Sequence, residues 1–229
     1  MATASSRAAP RAGIRWFAAP VVATAFVGGV WLTGDVIAGT FRTAMGLTAL
    51  WYLLAAALCV ALVRRRRALR APVIAGYLVA AGAVAAYLAV STLHERVVHE
   101  HVAVGAPASH APTPAGGQAA NVQLASGVFA SGEHETTGTA HVVRLGGGRR
   151  VLTLTGFSTS PGPDLRVRVA PGGGTDGSAD GVADLGALKG NRGDQQYDLP
   201  AGFVVRGATV LIWCRAFSAL FGSAALWAS

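Results

Sequence analysis

The chain has 229 residues, 52% of them hydrophobic and 13% charged, with a net charge of +8. That is too apolar and too sparsely charged for an ordinary soluble domain of this length, so membrane-crossing segments are expected first. The charge distribution argues against the nucleic-acid reading that a basic balance invites. Residues 1–120 carry ten Arg, no Lys and three acids, whereas residues 121–229 carry nine basic and eight acidic residues, so the excess belongs to the apolar half.

Residues 1–15 contain Arg7, Arg11 and Arg15 and read as a cytoplasmic N-terminus. Three apolar runs follow, residues 16–33, 44–63 and 72–93, none with a charged side chain. Each is close to the roughly 20 residues that a helix needs to cross about 30 Å of hydrocarbon. Backbone groups in lipid must be satisfied internally, so these runs are expected as transmembrane helices. Arg64, Arg65, Arg66, Arg67 and Arg70 lie between the second and third runs, and only Asp35 and Arg42 between the first and second. The positive-inside rule therefore puts the N-terminus and the 64–70 loop in the cytoplasm and the C-terminal half outside, as a multi-pass plasma-membrane protein with the bilayer as its first partner. A competing reading takes the first run as a signal peptide cleaved after Ala38; the final topology is the same. The spans carry no charge that would mark a transport path. His94 is the one histidine near a span, too few for a membrane haem. The bundle reads as an anchor, with small residues such as Gly82 and Ala86 allowing close helix approach.

The segment "HERVVHEH", residues 94–101, looks like a zinc-protease helix but spaces His94 and His99 five apart, about 140° around the axis. Two readings stand: a solvated continuation of the third helix, or a surface metal site using His94 with His101 or Glu95 with His99. Residues 103–121, rich in Ala, Pro and Gly, read as a semi-extended linker. Residues 94–121 are thus helix extension and linker, and residues 122–229 a separate domain.

In that domain short strand patterns alternate with turn signals. Strands are expected over residues 127–130, 139–145, 151–155, 165–170, 196–199, 209–216 and 218–220, divided by "GGG", "SPGP", "PGGGTDG", "KGNRGD" and "LPAG". The expected fold class is a membrane α-helical N-terminal half plus an all-β C-terminal domain, an antiparallel sandwich or barrel.

The order "SGVFASGEHETTGTAHVVRL", "VLTLTGFSTSPGPDLRVRVAP", "DLGALKGNRGDQQYDLP", "VLIWCRAFSALFGSAALW" resembles the DM-13 domain family across about residues 126–227. Its most specific parts are Gly156, Phe157, Pro163, Asp164 and Leu165, the "LGALKGNRGDQQYDLP" block, and the pair Trp213 and Cys214. The resemblance implies an extracytoplasmic all-β module whose single cysteine takes part in redox or electron transfer. By position Cys214 matches the family cysteine, and His141 matches a histidine near the family's start. No DOMON domain and no haem-bearing cytochrome pattern accompany it here, so the electron partner implied is another molecule, a thiol or electron-transfer protein outside the membrane. Ala, Gly and Arg usage suggests a bacterial source with GC-rich coding.

Cys59 and Cys214 are the two cysteines, and with the first inside an apolar run an internal disulfide is not expected. No CxxC, CxxCH or paired Cys/His spacing is present to hold a metal or covalent haem, and no particular cofactor is implied. On a strand Val210, Ile212 and Cys214 point one way, Leu211, Trp213 and Arg215 the other. The lone thiol is either a small packed hydrophobe or a reactive group outside the membrane. As a redox site, Cys214 would act with His141 as helper and Trp213 as neighbour, through a sulfenic acid or an intermolecular disulfide. The alternative is a non-enzymatic surface interaction module presenting loops 172–181 and 189–195. In the latter, Arg192, Gly193 and Asp194 spell "RGD", expected as a tight turn. Asp176, Asp180 and Asp184 lack the pattern of a calcium loop and read as solvated. No hydrolase elbow, Walker loop or dinucleotide fingerprint is found.

Overall fold

The computed structural model describes residues 15–37, 41–107 and 120–229. Arg7, Arg11, the cleavage position Ala38 and residues 108–119 of the expected linker lie outside the described residues. The chain divides into two compact units, Met1–Ala89 and Val90–Ser229.

The first unit is helical, with α1 (Ala18–Trp31) continued by a π-helical stretch (Leu32–Ile37), then α2 (Phe41–Arg65), a 3-10 turn (Arg67–Leu69) and α3 (Arg70–Leu93). Arg42–Arg65 and Arg67–Leu93 are long and apolar enough to cross a membrane, while the apolar helix Ala18–Gly34, α1 with the start of the π-helical stretch, is shorter. Large side chains such as Leu53, Leu58 and Val79 are exposed, the surface of helices that are apolar all round. Where the helices meet, Phe26 stands edge-on to Tyr52 at 4.7 Å and Tyr77 at 5.3 Å. Trp51 Nε1 donates to the Phe26 carbonyl at 3.0 Å, and Tyr77 Oη to the Tyr52 carbonyl at 3.1 Å. Each polar tip thus finds a backbone acceptor on another helix. The glycines that permit this closeness are Gly29, under the Trp51 ring, and Gly76, against the backbone of Ala19, whereas the expected Gly82 faces open space and Ala86 is exposed.

The second unit is a sandwich of two sheets. The first has the order β1 (Val97–His99), β9 (Arg192–Asp198), β6 (Arg150–Thr159), β5 (Thr136–Arg144), β3 (Val122–Val128), β12 (Trp227–Ala228), with β2 (Ala106–Pro107) also on β3. The second has the order β4 (Ala130–Ser131), β11 (Ala219–Ala225), β10 (Thr209–Cys214), β7 (Leu165–Ala170), β8 (Ala183–Ala187). Pairing is antiparallel except for β1 with β9 and β2 with β3, which are parallel. The alternation of β6 puts Leu152 and Leu154 in the core, a register shift after Thr155 brings Phe157 there too, and β10 adds Val210, Ile212 and Cys214, all buried. Where the two sheets approach, Thr136 Oγ1 donates to the Phe221 carbonyl at 3.1 Å, and a Cβ on Gly222 would fall 2.6 Å from Thr136 Oγ1.

Three sequence expectations are corrected here. The 94–101 segment does not continue the helix: α3 stops at Leu93 and β1 adds to the β9 edge, because β-branched Val97 and Val98 can pair with an open strand edge. Residues 192–194 are no tight turn but the start of β9, with Gly193 at φ +99°. The domain also begins upstream of residue 122. The chain leaves the β9 edge at His99 and joins the β3 edge at Ala106, so residues 100–105 form a strap across the intervening strands. Ala103 N donates to Gln196 Oε1 at 2.8 Å on the way. The strap accounts for Val143, Val151 and Thr153 being buried although they stand on the face opposite the core.

Candidate functional site

The run Val210, Leu211, Ile212, Trp213, Cys214 forms the centre of its sheet because β-branched and aromatic side chains suit a strand covered on both faces, and β10 is buried throughout. Cys214 closes it, opposite Leu165 of β7 and Ala219 of β11. Its thiol has no exposed surface. Sγ donates to the Pro163 carbonyl at 3.0 Å. Burial pushes the thiol pKa up to about 12; the N–H groups of Phe217 and Ala216 pull the other way, while the carboxylates of Asp164 and Glu133 add to the rise. At neutral pH Cys214 is therefore a protonated hydrogen-bond donor, the state opposite to an activated thiolate.

Two short turns cover it. The first is the Pro163 and Asp164 corner, and the second the 3-10 turn Arg215–Phe217 that follows β10. They are tied together: Arg215 N donates to the Asp164 carbonyl at 3.1 Å and Arg215 Nε to Asp164 Oδ2 at 2.6 Å. Asp164 (φ +53°) and Ser218 (φ +45°) are the non-glycine residues with positive φ among the described residues, so the left-handed conformations that carry a side-chain penalty lie in the cover of the thiol. A cleft of about 310 Å³ lies against the outside of this cover, with Gly162, Asp164, Leu165, Arg96 and Lys189 in its walls.

Trp213 points to the other face of β10, where it is 7% exposed. Gly177 lies so close to the indole that a Cβ there would enter the ring, and Arg168 Nη1 donates to the Gly177 carbonyl at 2.8 Å, pinning the loop down. Arg166 and Arg168 share Asp184, at 2.7 Å and 3.2 Å. Asp184 is thus part of β8 and its ion pairs, Asp176 accepts from Ser178 N, and the three aspartates of the expected loop do not converge.

His141 stands in the other sheet, on β5, opposite Thr153 of β6. Its ring nitrogens pair with Gln123 Oε1 at 3.0 Å and Thr155 Oγ1 at 3.1 Å, and burial lowers its pKa. The structure brings Trp213 and Cys214 together as strand neighbours but gives His141 and Cys214 no shared hydrogen bond. The groups around the thiol that sequence reading missed are the Pro163 carbonyl, Asp164, Glu133 and Arg215. The adjacent "PD" in the family-like block is the one local signal for them. Among the described residues no group of three His, Cys, Asp or Glu side chains is placed to hold a metal ion. The 94–101 acids are engaged instead, Glu95 with Arg192 and Glu100 with Lys189.

Fold and site define a two-sheet β-sandwich module with a buried, hydrogen-bonded thiol at the end of its central strand. Residues 128–226, within the C-terminal half, match the family model described as Electron transfer DM13. No curated protein and no solved structure matches the chain.

Proposed function

We propose that this protein is a membrane-anchored DM13 module that carries out thiol-based redox exchange outside the cell membrane through Cys214. The observation that carries the reading is the electron-transfer DM13 match over residues 128–226, which includes Cys214 at the end of its central strand. Anchoring is supported by the exposed apolar surfaces of α2 and α3, the two helices long and apolar enough to cross a membrane. The orientation with the DM13 domain outside is supported by Arg7, Arg11, Arg15 and the five arginines of residues 64–70 on one side of the spans, against Arg42 and Arg96 on the other.

The chemistry follows from the buried, protonated state. The two turns over Cys214 open, the thiol loses its proton to solvent, and the thiolate attacks the disulfide of a partner. One partner S–S bond breaks, a Cys214–partner S–S bond forms, and the leaving thiolate takes up a proton. A second thiol releases Cys214 by the same exchange. A membrane-impermeant maleimide applied to intact cells, with mass analysis of Cys214, tests the reading: slow labelling from outside that becomes complete on unfolding is expected. Labelling from the cytoplasmic side alone, in inverted vesicles, contradicts it. The interaction-module reading is favoured by one observation, the full burial of the thiol, and its result in the same experiment is a Cys214 that reacts only when the whole domain unfolds.

A further inference from the structure

The block of residues 189–196 receives the segment leading into the strap, residues 95–100, almost residue by residue. Arg96 N donates to Asn191 Oδ1 at 2.6 Å, and Arg192 N to the Arg96 carbonyl at 3.3 Å. Val97, Val98 and His99 then run parallel to Arg192, Gly193 and Asp194. Glu100 N donates to the Asp194 carbonyl at 2.9 Å, and the Glu100 carboxylate accepts from Lys189 Nζ at 2.8 Å and 2.9 Å and from Gln196 N at 2.8 Å. Glu95 pairs with Arg192 at 3.2 Å. Two glycines make room: a Cβ on Gly190 would stand 2.6 Å from both the Arg96 carbonyl and Val98 Cγ2, and one on Gly193 would fall on the Val98 carbonyl.

The receiving side is organised without the strap. Gln195, fully buried, accepts from Lys189 N, Gly190 N and Tyr197 Oη and donates to the Gly190 carbonyl at 2.9 Å. Asn191 is fixed by a 3.0 Å bond to the Thr159 carbonyl. A strand edge with its donors, acceptors and a lysine already in place is a peptide-recognition edge. We infer that the 189–196 block is a docking site for an extended peptide bearing a carboxylate at each end of a β-branched stretch, and that its occupant is this chain's own 95–103 segment. The receptor lies inside the DM13 match and the ligand outside it.

The test uses the full chain in detergent micelles. Glu100→Lys sets like charge against Lys189 and is expected to speed trypsin cleavage after Arg96 by about tenfold or more, the scale of a lost charge-assisted hydrogen bond. Adding Lys189→Glu to that variant restores the slow rate. A labelled peptide of residues 94–105 is expected to bind the Glu100→Lys chain and not the wild type, whose edge is filled. Equal cleavage in wild type and Glu100→Lys, no recovery in the charge-swapped pair, or peptide binding to both chains or to neither would overturn the inference.

Discussion

The cover over Cys214 sets how fast that thiol reacts. Raising its pKa from 9.0 to about 12 leaves roughly a thousandfold less thiolate at any pH below 9, before burial of the sulfur is counted. In a Cys59→Ser background, labelling of Cys214 in the closed state is therefore expected to be at least about a thousandfold slower than in the unfolded chain, so that opening of the two turns carries the reaction. The perturbation is Asp164→Asn, which keeps a side chain tolerated at φ +53° and removes the charge that holds Arg215 across the two turns. That pair is partly exposed, so its loss is discounted to about 0.5–1 kcal/mol, a two- to fivefold gain in opening. Losing the Asp164 carboxylate also eases ionisation of the thiol, in the same direction. The pH profile identifies the route: reaction through opening levels off near an ordinary thiol pKa, whereas reaction in the closed state keeps rising toward pH 12. Wild-type labelling within tenfold of the unfolded rate, or slower labelling in Asp164→Asn, would refute this reasoning.

Alkaline stability follows from the same proton. Between pH 9 and 12 the native domain keeps the Cys214 proton that the unfolded chain has released, so stability falls as pH rises through that window, by at most about 4 kcal/mol from this group; Cys214→Ser should make that limb shallower in a pH-dependent melt, leaving the part from Tyr197, whose pKa burial also raises. At the acid end, the Lys189 hydrogen bond holds the Glu100 carboxyl below its ordinary pKa. Its contribution is present above the unfolded carboxylate pKa and is lost as pH falls through the folded one, and Glu100→Gln should remove that slope. Gly222→Ala should lower stability by about 1–3 kcal/mol through overpacking against Thr136, measured by denaturant midpoint. Gly147→Ala, which meets nothing within 4 Å, should leave the midpoint nearly unchanged.

How far these features could be read from sequence depended on how local their causes are. The apolar runs and the strand ending in Cys214 were legible because hydrocarbon thickness and β-branched, aromatic composition act over a few neighbouring residues. β8, spelled "ADLGA", carries no such pattern and exists through its pairing with β7. β1 was read as helix because its partner β9 lies some 95 positions along the chain, and nothing near residue 97 announces a strand edge. The same limit hid the environment of the thiol. Its acceptor is a backbone carbonyl at Pro163, 51 residues away, and the assignment of His141 to one sheet and Cys214 to the other depends on register rather than composition.

The claim that Cys214 exchanges with an external disulfide is tested most directly by trapping. Cells expressing the Cys59→Ser chain are acid-quenched before and after a mild oxidant, free thiols are blocked, and the Cys214 peptide is weighed with and without reductant. A reductant-sensitive adduct at Cys214 that rises with oxidant and reverses afterwards is the expected result; a Cys214 that stays free and unmodified under oxidant would contradict the account.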